Sequence, residues 1–390
     1  MARPGAASQV AAPAATFKRG RVRIVSITWS QALAWRMRRQ LLGPVGTDTV
    51  EEVVRRLGAV RAQPEAAAEL AVRTRRERSR HGEVARALAD GRLIKTFAFR
   101  GATHLLTPED GGAYLALRAA SRMWELPSWQ SYYSLAPADW PRLRDVVREA
   151  LADGPLTTEE LGAAITARSR FRHLRFVFEG SPWTLLKAFA WQGDLSFGPA
   201  QDGTTFQRLD GNPRWAGMPE LDEAGMYAVE AYFGAYGPTT PDHVQYWLGE
   251  GLGAGRKRIQ AWIAGLGDRL AAVDVDGESA FIMREHLDDL VATSPTTAIR
   301  LLPSNDQWVL GPGTTDAHVV PPERRALVSR QANIVIVGGV VSGTGALTQD
   351  HVKVDWFAEG GPPPRSGLAD EVERLATILG QPLRLSIQTA

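Results

Sequence analysis

Three times in this chain of 390 residues a helix-like stretch ends in glycine and is followed by two short β-type runs around a turn. The first copy reads "GEVARALADG", then "RLIKTFAFR" and "ATHLLTPED", joined near Gly101. The second reads "SPWTLLKAFAWQG", then "DLSFGP" and "TTFQRL" around "QDG". The third reads "GRKRIQAWIAGLG", then "RLAAVDV" and "SAFIM" around "DGE". Self-similarity on this scale makes each copy one supersecondary unit. The helix-to-strand junctions are "DGRL" at Asp90, "QGDL" at Gln192 and "GDRL" at Gly267.

Further helices precede each hairpin. From Thr28 the run "WSQALAWRMRRQLL" repeats Trp29, Leu33, Met37 and Leu41 at helical spacing, and "TVEEVVRRLG" has Thr49 as cap and Gly58 as stop. Pro64 suits the first turn of "PEAAAELAVRTRR", where its missing N–H costs nothing. "LTTEELGAAI" and "TTPDHVQYWLG" take the corresponding places in the second and third copies. Helices followed by a hairpin is the order of a winged helix, so the chain reads as α+β with three winged helices in tandem. Three unrelated helix–hairpin modules is the alternative, because glycine before a strand is common punctuation.

The last third changes character. "AIRLLPSNDQWVLGPGTTDAHVVPP", "NIVIVGGVVSGTGALT" and "VKVDWFAE" are β-branched runs, followed by the helix "LADEVERLATILG" and a strand, "LRLSIQ". A small β-barrel or curved sheet with one covering helix is expected there. The resulting division is a disordered tail over 1–17, winged helices over 18–135, 136–218 and 219–295, and the barrel over 296–390.

Composition narrows the chemistry. No apolar run approaches the roughly 20 residues of a membrane span, and the leader "MARPGAASQVAAPAATFKRG" has no continuous apolar centre, so a cytoplasmic protein without membrane contact is expected. The absence of cysteine excludes a disulfide framework, a thiol nucleophile and any cysteine-ligated metal. No metal site and no cofactor is expected, since HExxH, Walker A and Rossmann patterns are all missing. Glu159–Glu160 and Asp288–Asp289 read as solvated helix faces.

Charge is unevenly placed. Lys18 to Arg100 holds 19 basic and 8 acidic residues, whereas the whole chain has a net charge of +2. A basic first quarter on an otherwise acidic protein suggests a face built for phosphates. Within it, "RTRRERSR" supplies Arg73, Arg75 and Arg76 as candidate DNA contacts.

Four segments together point to a family: "VRAQPEAAAELAVRTR", "LADGRLIKTFAFRGATHLLTPED", "YGPTTPDHVQYWLG" and "DQWVLGPGTTDAHVVPPERRALVSRQANIVIVGGVVSGTG". In these the chain resembles the AlkZ-like DNA glycosylases and their YcaQ-like relatives, from about Thr28 to Ala358. The resemblance implies three winged helices and a β-barrel forming a C-shaped cradle around duplex DNA, and hydrolysis of the N-glycosidic bond of alkylated purines, crosslinked ones included. It also implies a Gln–apolar–Gln catalytic motif, which in this chain reads Arg61–Ala62–Gln63. The second glutamine is kept and the first is replaced.

A glutamine amide is no base at neutral pH, but it hydrogen-bonds well enough to hold an attacking water. That suffices for a cationic alkylpurine, which is already a good leaving group. Gln63 and Arg61 are therefore the candidate catalytic pair, with Arg61 directed either at the site or at a flanking phosphate. His104 in "GATHLLTPED" and Arg330 in "LVSRQANIVIVGG" are further candidate DNA contacts. Two classes of function follow: a monofunctional, monomeric glycosylase that uses water, or a DNA-binding, lesion-sensing or regulatory protein that keeps the fold without the chemistry.

Overall fold

The computed structural model describes residues 24–199 and 203–389. The tail expected over 1–17 and part of the "QDG" turn lie outside the described residues. The described chain opens with β1 (Val25–Ile27) and the helix Trp29–Arg39, whose N-cap Thr28 accepts a hydrogen bond from the Gln31 amide. This helix is apolar on two sides. Ala32 and Trp35 enter one core, Leu33 and Met37 another.

The first repeat comprises the helix Val50–Leu57, β2 (Val60–Arg61), the helices Glu65–Arg73 and Glu83–Ala89, then β3 (Ile94–Phe97) and β4 (Thr103–Leu106). Thr49 and Glu52 satisfy each other's backbone N–H in a capping box, which fixes where the first helix starts. Its apolar positions Val50, Val53, Val54 and Leu57 are buried in a core shared with Val72, Ala87 and Leu105. β4 is the central strand, antiparallel to β2 on one side and β3 on the other.

The second repeat has the same order: the helix Trp140–Ala150, β5 (Leu156–Thr157), the helices Thr158–Ala167 and Trp183–Trp191, β6 (Leu195–Phe197) and β7 (Thr205–Arg208). Again the last strand is central, in the order β5-β7-β6. Trp140, Leu161, Phe189 and Phe206 fill its core.

In the third repeat the helix Leu221–Tyr236 leads to the short helix Pro241–Val244, the helix Arg256–Gly265, and the hairpin of β8 (Leu270–Val275) and β9 (Glu278–Met283). The place held by β2 and β5 is reduced to one bridge, in which Thr239 and Phe281 exchange N–H···O bonds of 2.9 and 2.8 Å. The opposite edge is covered by β1, parallel to β8. Trp262 lies against Gly225, where a β-carbon would come within 2.1 Å of the indole, and its Nε1 donates to Asp222 at 2.9 Å. Only glycine lets the two helices approach this closely.

The C-terminal part is an open sheet of β10 (Ile299–Leu302), β11 (Asn333–Val337), β12 (Val340–Thr348), β13 (His351–Trp356) and β14 (Arg384–Thr389), in that order. Here the expectation of a small β-barrel is corrected, because β10 and β14 are the two edges and do not pair. The sheet buries both faces without closing. Along β11, Ile334 and Ile336 share a core with Leu33, Met37 and Trp308, while Val335 faces Leu368 and Val372 of the helix Arg365–Leu379. That helix carries the chain across so that β14 runs parallel to β13. Among the described residues no helix is long and apolar enough to cross a membrane.

Candidate functional site

β2 is only two residues long, and it sets Arg61 directly opposite His104 of β4; Thr96 of β3 flanks His104 on the other side. Cross-strand partners project from one face of a sheet, so Arg61, His104 and Thr96 make a polar row. Val60 and Ala62 point the other way into the core. The Ala62 amide still donates to the Thr103 carbonyl at 2.9 Å, which carries the extended pairing to the edge of Gln63.

Gln63 itself is exposed, and its amide makes no hydrogen bond to another described residue. Pro64 is the N-cap of the helix Glu65–Arg73, one position earlier than the first-turn place expected for it. Capping therefore makes no demand on Gln63.

His104 is 2% exposed, with Nδ1 3.0 Å from the Ala102 carbonyl. A carbonyl only accepts, so Nδ1 carries the proton and Nε2 is left as an acceptor. Burial pushes the imidazole pKa down to about 3, and the charges of Arg61 and Arg100 add to that shift against the opposing Ala102 bond. The ring is neutral and cannot serve as a proton donor at neutral pH. Arg61 is partly buried, its Nε has no partner, and burial lowers its pKa with no carboxylate nearby to offset it. The Thr96 hydroxyl is likewise buried and unpartnered. The site thus combines a cation, a neutral imidazole and a hydroxyl in one row, with exposed Gln63 two residues beyond the Arg61 that begins it.

The β3–β4 turn is pinned across to the third repeat. Phe99 stacks on Trp247 at 4.0 Å between ring centroids, and the Arg100 guanidinium lies 4.3 Å from the centre of the Tyr246 ring. Arg100 itself adopts φ 52° and is exposed.

The arginines expected to meet DNA fare differently. Arg75 is fully buried and bonds Asp306 through both terminal nitrogens, at 2.8 and 2.6 Å. Arg73 is also buried and donates to the Ile378 carbonyl of the C-terminal helix and to Ser79. Both expectations are corrected: these side chains tie the first repeat to the C-terminal sheet and present no charge to solvent. Arg76 is partly buried, donating to Glu83 and to the Asp48 carbonyl. With Arg80, His81, Arg86 and Arg92 it lines an open depression of about 480 Å³. His104 faces inward, as described. Arg330 is exposed just before β11, with no contact to the Arg61 row.

Sequence reasoning misses Arg118 and Lys187, which lie behind the β3–β4 turn. A signal was available. Lys187 is one of five lysines in the chain and the lone charge in "SPWTLLKAFAWQG".

Comparison with known proteins places this geometry. The family model described as "DNA glycosylase AlkZ-like" matches residues 54–378. The chain belongs to the AlkZ-like DNA glycosylase family. A relative from Streptomyces sahachiroi, named "Interstrand DNA cross-link repair glycosylase", is 36% identical over 360 residues, which is 90% of this chain and 97% of the relative. The solved structure of Streptomyces sahachiroi DNA glycosylase AlkZ superposes with a TM-score of 0.88 at 35% identity, covering 93% of this chain and all of that one. The mixed α/β architecture is therefore an AlkZ-like one.

Proposed function

We propose that this chain is a monofunctional DNA glycosylase that hydrolyses the N-glycosidic bond of alkylated purines, N7 or N3 adducts and crosslinks, in duplex DNA. The observation that carries the reading is the exposed Gln63, with no hydrogen-bond partner among the described residues, two residues beyond Arg61 of the Arg61–His104–Thr96 row. The name of the Streptomyces relative supports crosslinks as lesions. In this reading the three repeats are winged helices arranged on a common concave face, and the protein works as a monomer on the nucleoid.

The chemistry asked of the protein is modest. An alkylated N7 or N3 makes the purine a cationic leaving group, so C1′ gains oxocarbenium character as the bond lengthens. The C1′–N bond breaks with its electron pair leaving on the purine, and water adds its oxygen to C1′ and loses a proton to solvent. Gln63 accepts from that water and holds it in line. Neutral His104 adds no positive charge beside the sugar, whereas an imidazolium would oppose the reaction. Arg61, which has no carboxylate partner, binds a flanking phosphate.

The test is to incubate the pure protein with duplex DNA carrying N7-methylguanine and look for free base by chromatography. A second reading rests on Arg61, which stands where the family motif has its first glutamine: a protein that binds or senses lesions without cutting them. Tight duplex binding with no base released would establish that reading in place of the first.

A further inference from the structure

Most partly buried arginines here meet an acid. Arg144 and Arg148 share Asp194, Arg92 reaches Glu51, and Arg374 grips Glu371. Behind the β3–β4 turn the pattern fails. Arg118, 8% exposed, has its guanidinium 4.1 Å from the centre of the Trp191 ring, donates to the Met123 sulfur and leaves Nε buried without a partner. The Trp191 Nε1–H is also buried and unpartnered. Lys187 has no hydrogen-bond acceptor among the described residues. Arg118 is the one charge that perturbs it, and burial together with that repulsion lowers its pKa.

Two glycines in the left-handed region border these groups. A β-carbon on Gly101, at φ 68°, would lie 3.5 Å from the Lys187 Nζ and 3.7 Å from the Trp191 ring. One on Gly253, at φ 79°, would lie 3.6 Å from a terminal nitrogen of Arg118. The region therefore assembles an ammonium, a guanidinium and an indole N–H, all donors, with no carboxylate to accept from them. Exposed Arg100, over the Tyr246 ring, immediately precedes Gly101 on the same turn. Donors gathered in a poorly hydrated place without an acceptor are matched by an anion rich in oxygen.

We propose that Arg118, Lys187 and the Trp191 indole form an anion site, entered past Arg100, that takes one phosphate of the DNA backbone. The proposal rests on the DNA-binding part of the function given above and not on base release. Backbone phosphate is favoured over a free ion by position: the turn that carries Arg100 and Gly101 joins β3 to β4, the strands that hold Thr96 and His104. A DNA strand gripped at this turn runs beside the Arg61–Gln63 edge of the same sheet, so the contact sets the register of the lesion over the motif.

The test uses the full chain and an undamaged duplex, with affinity followed by fluorescence anisotropy across a salt series. Removing one phosphate contact lowers the slope of log K against log salt by about 0.9. Lys187→Gln is expected to show that loss, Lys187→Arg to restore the slope, and exposed Arg100→Gln, which tests the entrance without touching the core, to lower it as well. A second arm measures thermal stabilisation by inorganic phosphate at constant ionic strength. An unchanged slope in Lys187→Gln overturns the proposal, and phosphate stabilising the wild type but not that variant would then assign the site to the free ion. If wild type fails to bind duplex at all, the proposal and the functional reading fall together. If it binds with the expected slopes but releases no alkylated base, the glycosylase reading falls and this site stands.

Discussion

Arg75 and Asp306, separated by 231 residues in sequence, form a two-pronged ion pair with no solvent exposure on either side chain. Arg75 also donates to the Ala71 carbonyl at 2.7 Å, and Asp306 accepts from the Trp308 amide at 2.8 Å. The pair links the helix Glu65–Arg73, through the residues just after it, to the C-terminal sheet. Removing one partner strands the other charge in the interior. Asp306→Ala or Arg75→Ala is expected to cost about 3–5 kcal/mol of stability, measured by urea unfolding. A folded variant should keep the salt slope of DNA binding, since neither group faces solvent.

Gln63→Ala is expected to slow base release from N7-methylguanine DNA by roughly 10² or more while leaving duplex affinity nearly intact, the mark of an interaction made mainly in the transition state. Single-turnover kinetics and anisotropy measure the two quantities separately. Equal losses in both would show Gln63 to be a binding residue.

Arg61→Gln rebuilds the Gln–apolar–Gln arrangement of the family. With Arg61 engaged on a phosphate, the substitution weakens binding and lowers the salt slope by about 0.9, with the single-turnover rate at saturating protein unchanged. A faster chemical step in the variant would place the guanidinium beside the lesion instead.

His104 predicts an acid dependence of stability. Its folded pKa is depressed to about 3 against the ordinary 6.5 of a free imidazole, so between these values the unfolded chain holds a proton that the folded chain refuses. Stability from this group is complete above pH 6.5 and falls as pH is lowered toward 3, by up to about 1.4 kcal/mol per pH unit. His104→Asn, which preserves a donor and an acceptor, should flatten the acid limb by up to one proton's worth. His243 and His286, also depressed by burial, account for slope that survives the substitution.

How far the sequence revealed these features depends on the range of the interaction involved. The hairpins "RLIKTFAFR…ATHLL" and "RLAAVDV…SAFIM" were legible because alternation and a turn are local properties, and they are β3–β4 and β8–β9. β2 and β5 were not, since two residues carry no periodicity. The C-terminal strands were legible, but their closure was not: whether β10 meets β14 is decided by the two helices that cover the sheet, one of them at the other end of the chain. "RTRRERSR" misled for the same reason. Its charge is visible locally, while Asp306 and Ile378, which bury Arg75 and Arg73, are not. Gln63 and Arg61 were legible as a motif, and the inward ring of His104 required the structure.

The partnership of β1 with β8 also orders events in time. Val25 pairs with Val273, so β1 waits roughly 250 residues for its neighbour, or about 12–50 s at 5–20 residues per second. During that interval the helix Trp29–Arg39 has Trp35 and Met37 uncovered, because the cores that receive them belong to the third repeat and the C-terminal sheet. Protease applied to ribosome-arrested chains should cut between 29 and 39 until β9 and then β11 and β12 have emerged. The helix Trp29–Arg39 is therefore sticky for most of synthesis, and residues made some 240 to 320 positions later are those that finally shelter it.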